Sequence, residues 1–319
     1  MAIDRVLLEI LRNHYQAVVE DMARIMERTA YTTFVKETAD FSTGLVSRGG
    51  EYVAYPWNLG ASSYLGLNMA HTLAYFDRYD EGDIVICNDA YLSGPLCTHL
   101  PDIHILRPIF HEGRIICWGY AFVHSSDIGG AVPASVWPRA TEIFQEGLRL
   151  RPTKLYRAGV LQEDVKNLIA DNCRIPEVNW GDIKAMVAAV SSCDRRIQEM
   201  IGKFGLATVV EGIDAVLDYA EQRARAAIRK IPDGTYRFTE YMEDDLRSEV
   251  PDPHPGGADH RGRLDPPRLH GHRSPGELGA EHREPRGDAS RSCARPSTPT
   301  SSPRIRASPR PPASSGRYG

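Results

Sequence analysis

The sequence predicts an α+β protein with a mixed or antiparallel sheet built from hairpins, a C-terminal helical pair and a disordered tail. Three observations predict this. Apolar runs of strand length flank glycine-bearing turns between about residues 38 and 150, and apolar residues recur at helical spacing from about 160 to 231. Composition then breaks near residue 250: residues 251–319 hold 13 of the 22 prolines and 12 arginines, but no Lys, Val, Phe, Trp or Met. We therefore divide the 319 residues into a folded region, 1–245, and a Pro/Arg-rich tail, 246–319. So few apolar residues in the tail cannot offset backbone ordering, at roughly 1–2 kcal/mol per residue. Such a composition without lysine is also what a GC-rich gene yields in a shifted reading frame.

The first element is a helix from Asp4 to Thr29, with Asp4 as N-cap. Its stripe of Val6, Leu7, Ile10, Leu11, Val18, Met22, Ile25 and Met26 faces the rest of the fold. Phe41–Ser47 and Tyr52–Trp57 flank Arg48-Gly49-Gly50 and form a hairpin. Leu67–Tyr79 has helical period, and Ile84–Cys87 is a short strand ending at Asn88-Asp89. Ile103–Phe110 and Ile115–Val123 form a second hairpin around Glu112-Gly113, with Pro108 marking an edge strand or a bulge. Gln162–Asn172, Asn179–Phe204 and Leu206–Ile231 are helical, the last two an antiparallel pair cornered at Gly205. Thr235–Met242 opens a further strand.

Charge and apolar patterning exclude several functions. Residues 1–250 are acidic, with 35 Asp and Glu against 26 Lys and Arg, so they lack the basic surface of a general nucleic-acid binder. No apolar run reaches the length of a membrane span. The N-terminus lacks the apolar core of a signal peptide, and the six cysteines form no regular framework, so a cytoplasmic location is expected. No phosphate-binding GxxxxGK[ST] loop occurs, so ATP, if used, is bound by another chain.

The chemistry concentrates in two His-x-x-Asp units, His99-Leu100-Pro101-Asp102 and His124-Ser125-Ser126-Asp127. With Glu112-Gly113 as a two-residue turn, His111 faces Arg114 and Asp102 falls opposite Val123, next to His124. His99 and Asp127 then lie on the loops just beyond. A bulge at Pro108 would shift this register by one residue. Two imidazoles with two carboxylates suit a divalent ion of borderline-to-hard character, Mn²⁺, Fe²⁺ or Zn²⁺. The competing reading makes the histidines hydrogen-bonding groups at a sheet edge and the aspartates turn caps. Asp40, in Asp40-Phe41-Ser42-Thr43-Gly44, and Asp89, at a strand end, are candidates for an assisting catalytic role.

These motifs resemble the hydantoinase B/oxoprolinase family. The resemblance rests on NDAYLSGPLCTHLPDIHILRPIF, HSSDIGGAVPAS and EIFQEGLRLRPTKLY, with ADFSTG before them and NWGDIKAMVAAVSSCDRRIQEMIGKFG and IPDGTYRF after, over about residues 4–245. It implies a B-type subunit of an ATP-dependent N-methylhydantoinase or 5-oxoprolinase, paired with an A-type ATP-binding subunit in a hetero-oligomer. The substrate would be a small cyclic amide, opened by hydrolysis after activation by the partner. A kinship with ketone carboxylases keeps ATP-dependent carboxylation of a ketone as the alternative, and favours manganese among the three metals. The family's metal motifs fall on His99, Asp102, His124 and Asp127. Ala90 stands where the family has proline, and Ser93-Gly94 where it has a glycine pair; both bear on substrate fit more than on metal ligation. Because family members continue past the IPDG segment, an inactive truncated fragment is a further alternative.

Overall fold

The computed structural model describes residues 3–61, 67–134, 137–242 and 252–260, with side chains described up to residue 237. Helix α1, Arg5–Thr29, begins where the Asp4 carboxylate accepts the Leu7 N–H at 2.8 Å. A single turn, α2 (Thr33–Lys36), leads to strands β1 (Phe41–Val46) and β2 (Tyr52–Ala54). The short α3 (Ala70–Leu73) precedes β3 (Ile84–Cys87), β4 (Asp102–His111) and β5 (Arg114–His124). After β6 (Thr153–Arg157) and β7 (Val160–Leu161) come α4 (Glu163–Asp171), α5 (Pro176–Phe204) and α6 (Leu206–Ile228). The first seven strands form one antiparallel sheet in the order β2-β1-β5-β4-β3-β6-β7.

Strand alternation gives the sheet two buried faces. Phe41, Leu45, Ile84, Ile86, Ile103, Ile105, Ala121 and Val123 point to one face, where Leu11, Tyr15, Val18, Met22 and Met26 of α1 and Met186, Val190 and Ile197 of α5 cover them. Val46, Val85, Leu106, Trp118, Tyr120 and Phe122 point to the other, under Met69, Leu73, Phe76 and Tyr79. The helices join through Tyr15, whose hydroxyl donates to the Val209 carbonyl at 2.6 Å.

Several expected elements differ from the structure. Val6 and Ile10, placed in the buried stripe of α1, are exposed, and Tyr15, Val19 and Ala23 are buried in that stripe. Leu67–Tyr79 yields only the four residues of α3, because the Tyr79 hydroxyl donates to the Leu73 carbonyl and Phe76 and Tyr79 fill the second core. α5 lies chiefly along α1 rather than α6. A one-residue corner at Gly205 is shorter than the roughly 2–8 residues that helix–helix connections usually use. β4 is a central strand, and Pro108 lies beyond its last pair with β3, Val85↔Leu106, so the proline meets only one neighbour. Within the expected tail, residues 252–260 form strand β9, which pairs antiparallel with β8, Gly234–Met242. Residues 261–319 lie outside the described residues.

Candidate metal centre

The β4–β5 hairpin builds the site. Glu112 and Gly113, with φ of 48° and 74°, occupy the left-handed region that a tight two-residue hairpin turn requires, and His111 pairs with Arg114 as expected. The register then shifts between Ile109 and Phe110: Phe110 pairs with Ile115 but Ile109 pairs with Cys117. Ile116 is the extra residue, and both it and Cys117 are buried in the helix-facing core. From there the pairing runs regularly to Asp102, which faces His124 itself rather than Val123. Across β5, the His124 N–H donates to the Asp40 carbonyl at 3.0 Å. Asp40, His124 and Asp102 thus sit at the ends of neighbouring chain segments.

His99 reaches the same point through a turn in which the Asp102 N–H approaches the His99 carbonyl at 3.3 Å. One carboxylate oxygen of Asp102 meets both imidazoles, His99 Nε2 at 2.8 Å and His124 Nδ1 at 3.0 Å. The ligand atoms of these three residues lie within 4.8 Å of one another. The two rings are tilted 5.1 Å apart, and Phe34 packs 4.8 Å from the ring of His124. Asp102 and His124 are buried, whereas the His99 side chain is 37% exposed, so the cluster opens to solvent on one side.

Electrostatics follow from this crowding. Burial alone would raise the Asp102 carboxyl, but hydrogen bonds from His124 and His99 hold it well below the ordinary carboxylate range. The Asp102 hydrogen bond raises His99 above its usual value, against the opposing effect of burial, with help from Glu146 and Asp40. Burial raises the half-buried Asp40, while the neighbouring His124 partly offsets it.

Two expected participants are engaged elsewhere. Asp127 is buried; its carboxylate accepts the Gly129 N–H at 3.0 Å, Arg174 Nη1 at 2.7 Å and the backbone N–H of Arg174. Asp89 is also buried and accepts the Tyr91 and Leu92 N–H groups and the guanidinium of Arg149. Burial works against its charge, but these donors outweigh burial and lower its pKa. Among the described residues, the structure therefore brings together His99, Asp102 and His124, with Asp40 alongside, and places Asp89 and Asp127 in separate loop anchors.

Two groups near the site went unnoticed in the sequence. Glu146 Oε2 accepts the Leu100 N–H at 3.0 Å, next to His99, although nothing local in EIFQEG marks that role. Cys97 sits against Cys87 and His104, which overcome the effect of burial and lower its thiol, while Cys87 is raised. The three residues come from β3, β4 and the loop between them, so only the folded sheet joins them.

The structure thus presents an antiparallel α+β fold with two imidazoles and one carboxylate gathered at a sheet end, a donor set of the kind that could hold a divalent ion. A family model for hydantoinase B/oxoprolinase matches residues 4–254, and the chain belongs to that family. It is 32% identical over 247 residues to the caprolactamase subunit beta of Pseudomonas jessenii, a match covering 76% of this chain and 42% of that one. The crystal structure of the ATP-dependent caprolactamase from the same organism matches with a TM-score of 0.70 at 28% identity, covering 82% of this chain and 45% of that chain. A nucleotide-free acetone carboxylase structure shares the fold, with a TM-score of 0.69 at 19% identity over 81% of this chain and 36% of that one. The chain spans 41% and 42% of the lengths of the first two curated relatives it matches.

Proposed function

We propose that this chain is the metal-holding B-type part of an ATP-dependent cyclic amidase, in which an A-type partner subunit binds ATP and activates the ring amide. The observation that carries the reading is the convergence of His99, His124 and Asp102 at one exposed-sided point. The donor set fits a divalent ion of Mn²⁺, Fe²⁺ or Zn²⁺ character, and manganese is favoured by the family resemblance. Such an ion polarises a carbonyl oxygen or lowers the pKa of water.

The chain's own residues do the rest. Asp102 orients both imidazoles through one oxygen, which fixes their ring planes before any ion arrives. The exposed flank of His99 leaves room for the substrate. Asp40, with its raised pKa, takes a proton from the attacking water and returns it to the departing amide nitrogen. The partner, the hetero-oligomer and the cyclic-amide substrate rest on the family membership and on the names of the caprolactamase relatives. Among the described residues no helix is long and apolar enough to cross a membrane.

Titration of the purified chain with Mn²⁺, Fe²⁺ and Zn²⁺ by calorimetry tests the site. Near-equimolar binding that disappears in His99→Ala and His124→Ala is the expected result. Binding that survives both substitutions, or a folded wild type that binds none of the three, overturns the proposal.

A further inference from the structure

On a loop hydrogen-bonded to the segment that carries His99 lies a guanidinium close to two exposed rings. Arg149 Cζ stands 5.4 Å from the ring centre of Tyr91 and 5.5 Å from that of Phe144. Tyr91 and Phe144 are 69% and 70% exposed, so two large aromatic side chains next to a cation meet solvent. Asp89 builds this arrangement. One of its oxygens accepts the Tyr91 and Leu92 N–H groups at 2.8 and 3.1 Å, forming the turn that presents Tyr91. The other oxygen accepts Arg149 Nε and Nη2 at 3.2 and 2.9 Å. Arg149 Nη1 makes no hydrogen bond among the described residues, and the side chain is 29% exposed.

The backbone ties this group to the metal cluster. The Asn88 amide donates to the carbonyls of Leu100 and Leu148 at 2.7 and 2.9 Å, and its oxygen accepts the Leu150 N–H at 2.6 Å. Leu100 adjoins His99 and also donates to Glu146, which lies between Phe144 and Arg149 in the chain. Segments 88–92, 99–102 and 144–150 are thus laced together, with the imidazole of His99 on one and the Arg149 guanidinium on another.

Guanidinium groups stack on rings and present paired donors to carboxylates and phosphates. We infer that Arg149, pre-oriented by Asp89 close to Tyr91 and Phe144, receives an oxyanion of the substrate whose ring amide lies at the proposed metal cluster. The anion is either a carboxylate on the ring or the phosphate of an activated form. The inference deepens the amidase proposal and rests on it for the reacting group. Asp89 already neutralises part of the cation, so Arg149 selects among ligands rather than supplying most of the affinity.

The test measures binding of 5-oxoproline, of 2-pyrrolidinone (the same ring without the carboxylate) and of inorganic phosphate to the full chain by calorimetry. Arg149→Met removes the donors, and Tyr91→Ser removes one ring while leaving the Asp89–Arg149 pair intact if the first variant fails to fold. For a carboxylate site, both variants weaken 5-oxoproline, Arg149→Met by about tenfold, the loss of one charge-assisted hydrogen bond, and leave 2-pyrrolidinone unchanged. For a phosphate site, the same loss appears for phosphate instead. Anion binding that is absent in the wild type, or equal in wild type and both variants, overturns the inference. Metal titration of the same samples separates it from the amidase reading: anion loss with no metal bound by any sample sinks that reading and leaves Arg149 as an oxyanion site.

Discussion

Asp127→Asn separates a metal ligand from a loop anchor. In the structure the Asp127 carboxylate accepts two backbone N–H groups, from Gly129 and Arg174, together with Arg174 Nη1. An asparagine has the same shape but only one acceptor oxygen, so one backbone N–H would face a second donor and stay unpaired in a buried place. The guanidinium of Arg174 is 47% exposed, and screening leaves little to be gained from its charge. Losing one charge-assisted bond and stranding one buried donor costs about 2–4 kcal/mol together. At roughly 2–4 °C per kcal/mol for a domain of this size, the melting temperature falls by about 4–16 °C. Urea and thermal unfolding measure this, and calorimetric Mn²⁺ titration below the transition measures the cluster. The expected outcome is a less stable protein with unchanged metal affinity. An equally stable variant that no longer binds metal would refute the argument and return Asp127 to the ligand set.

Two further outcomes follow from the same geometry. Asp102 is lowered and His99 raised, so their contributions to stability run in opposite directions with pH. The Asp102 contribution is present above about pH 4 and is lost as pH falls towards its lowered folded value; that of His99 is present below about pH 6.5 and is lost as pH rises through its raised one. Their pairing is therefore strongest in the window between, and metal, competing with the His99 proton, binds more tightly as pH climbs past that window. Ring resonances of His99 that titrate at or below the free-histidine value would contradict this. Gly147 has φ of 131°, and a Cβ there would lie 2.4 Å from the Ile128 carbonyl oxygen, so Gly147→Ala costs about 1–3 kcal/mol. An unchanged urea midpoint for that variant would show that the 142–148 loop relaxes freely.

What the sequence disclosed was whatever is set locally. The Asp4 cap, the turn at Glu112-Gly113 and the end of β3 at Asn88 depend on residues within a few positions of one another, and each stands as expected. The two His-x-x-Asp units look equivalent in one dimension, yet they fold differently. The first enters a strand, so Asp102 points at both imidazoles; the second leaves one, and its aspartate is captured by Arg174, far along the chain. Asp89 is likewise claimed by Arg149. Neither arginine carries any local mark of its partner. The surplus apolar residues of α1 are a related case, because periodicity defines a stripe but the position of α5 decides which side of it is covered.

The decisive feature is the single extra residue at Ile116. Cross-strand partners lie on the same side of a sheet, and a slip of one residue sends every side chain to the opposite face. Had the register of the turn continued unbroken, Asp102 would have faced Val123, which packs against the helices, and His124 would have pointed away from it. The bulge moves Asp102 opposite His124, on the same side as His104 and Phe122, whose rings stack 5.5 Å apart. It achieves this without exposing the core, since Ile116 and Cys117 both remain buried on the helical side. Bulges favour sites where a side chain must be re-aimed, and here one residue, placed at the far end of the hairpin from the His–Asp cluster, determines whether an imidazole and a carboxylate meet at all.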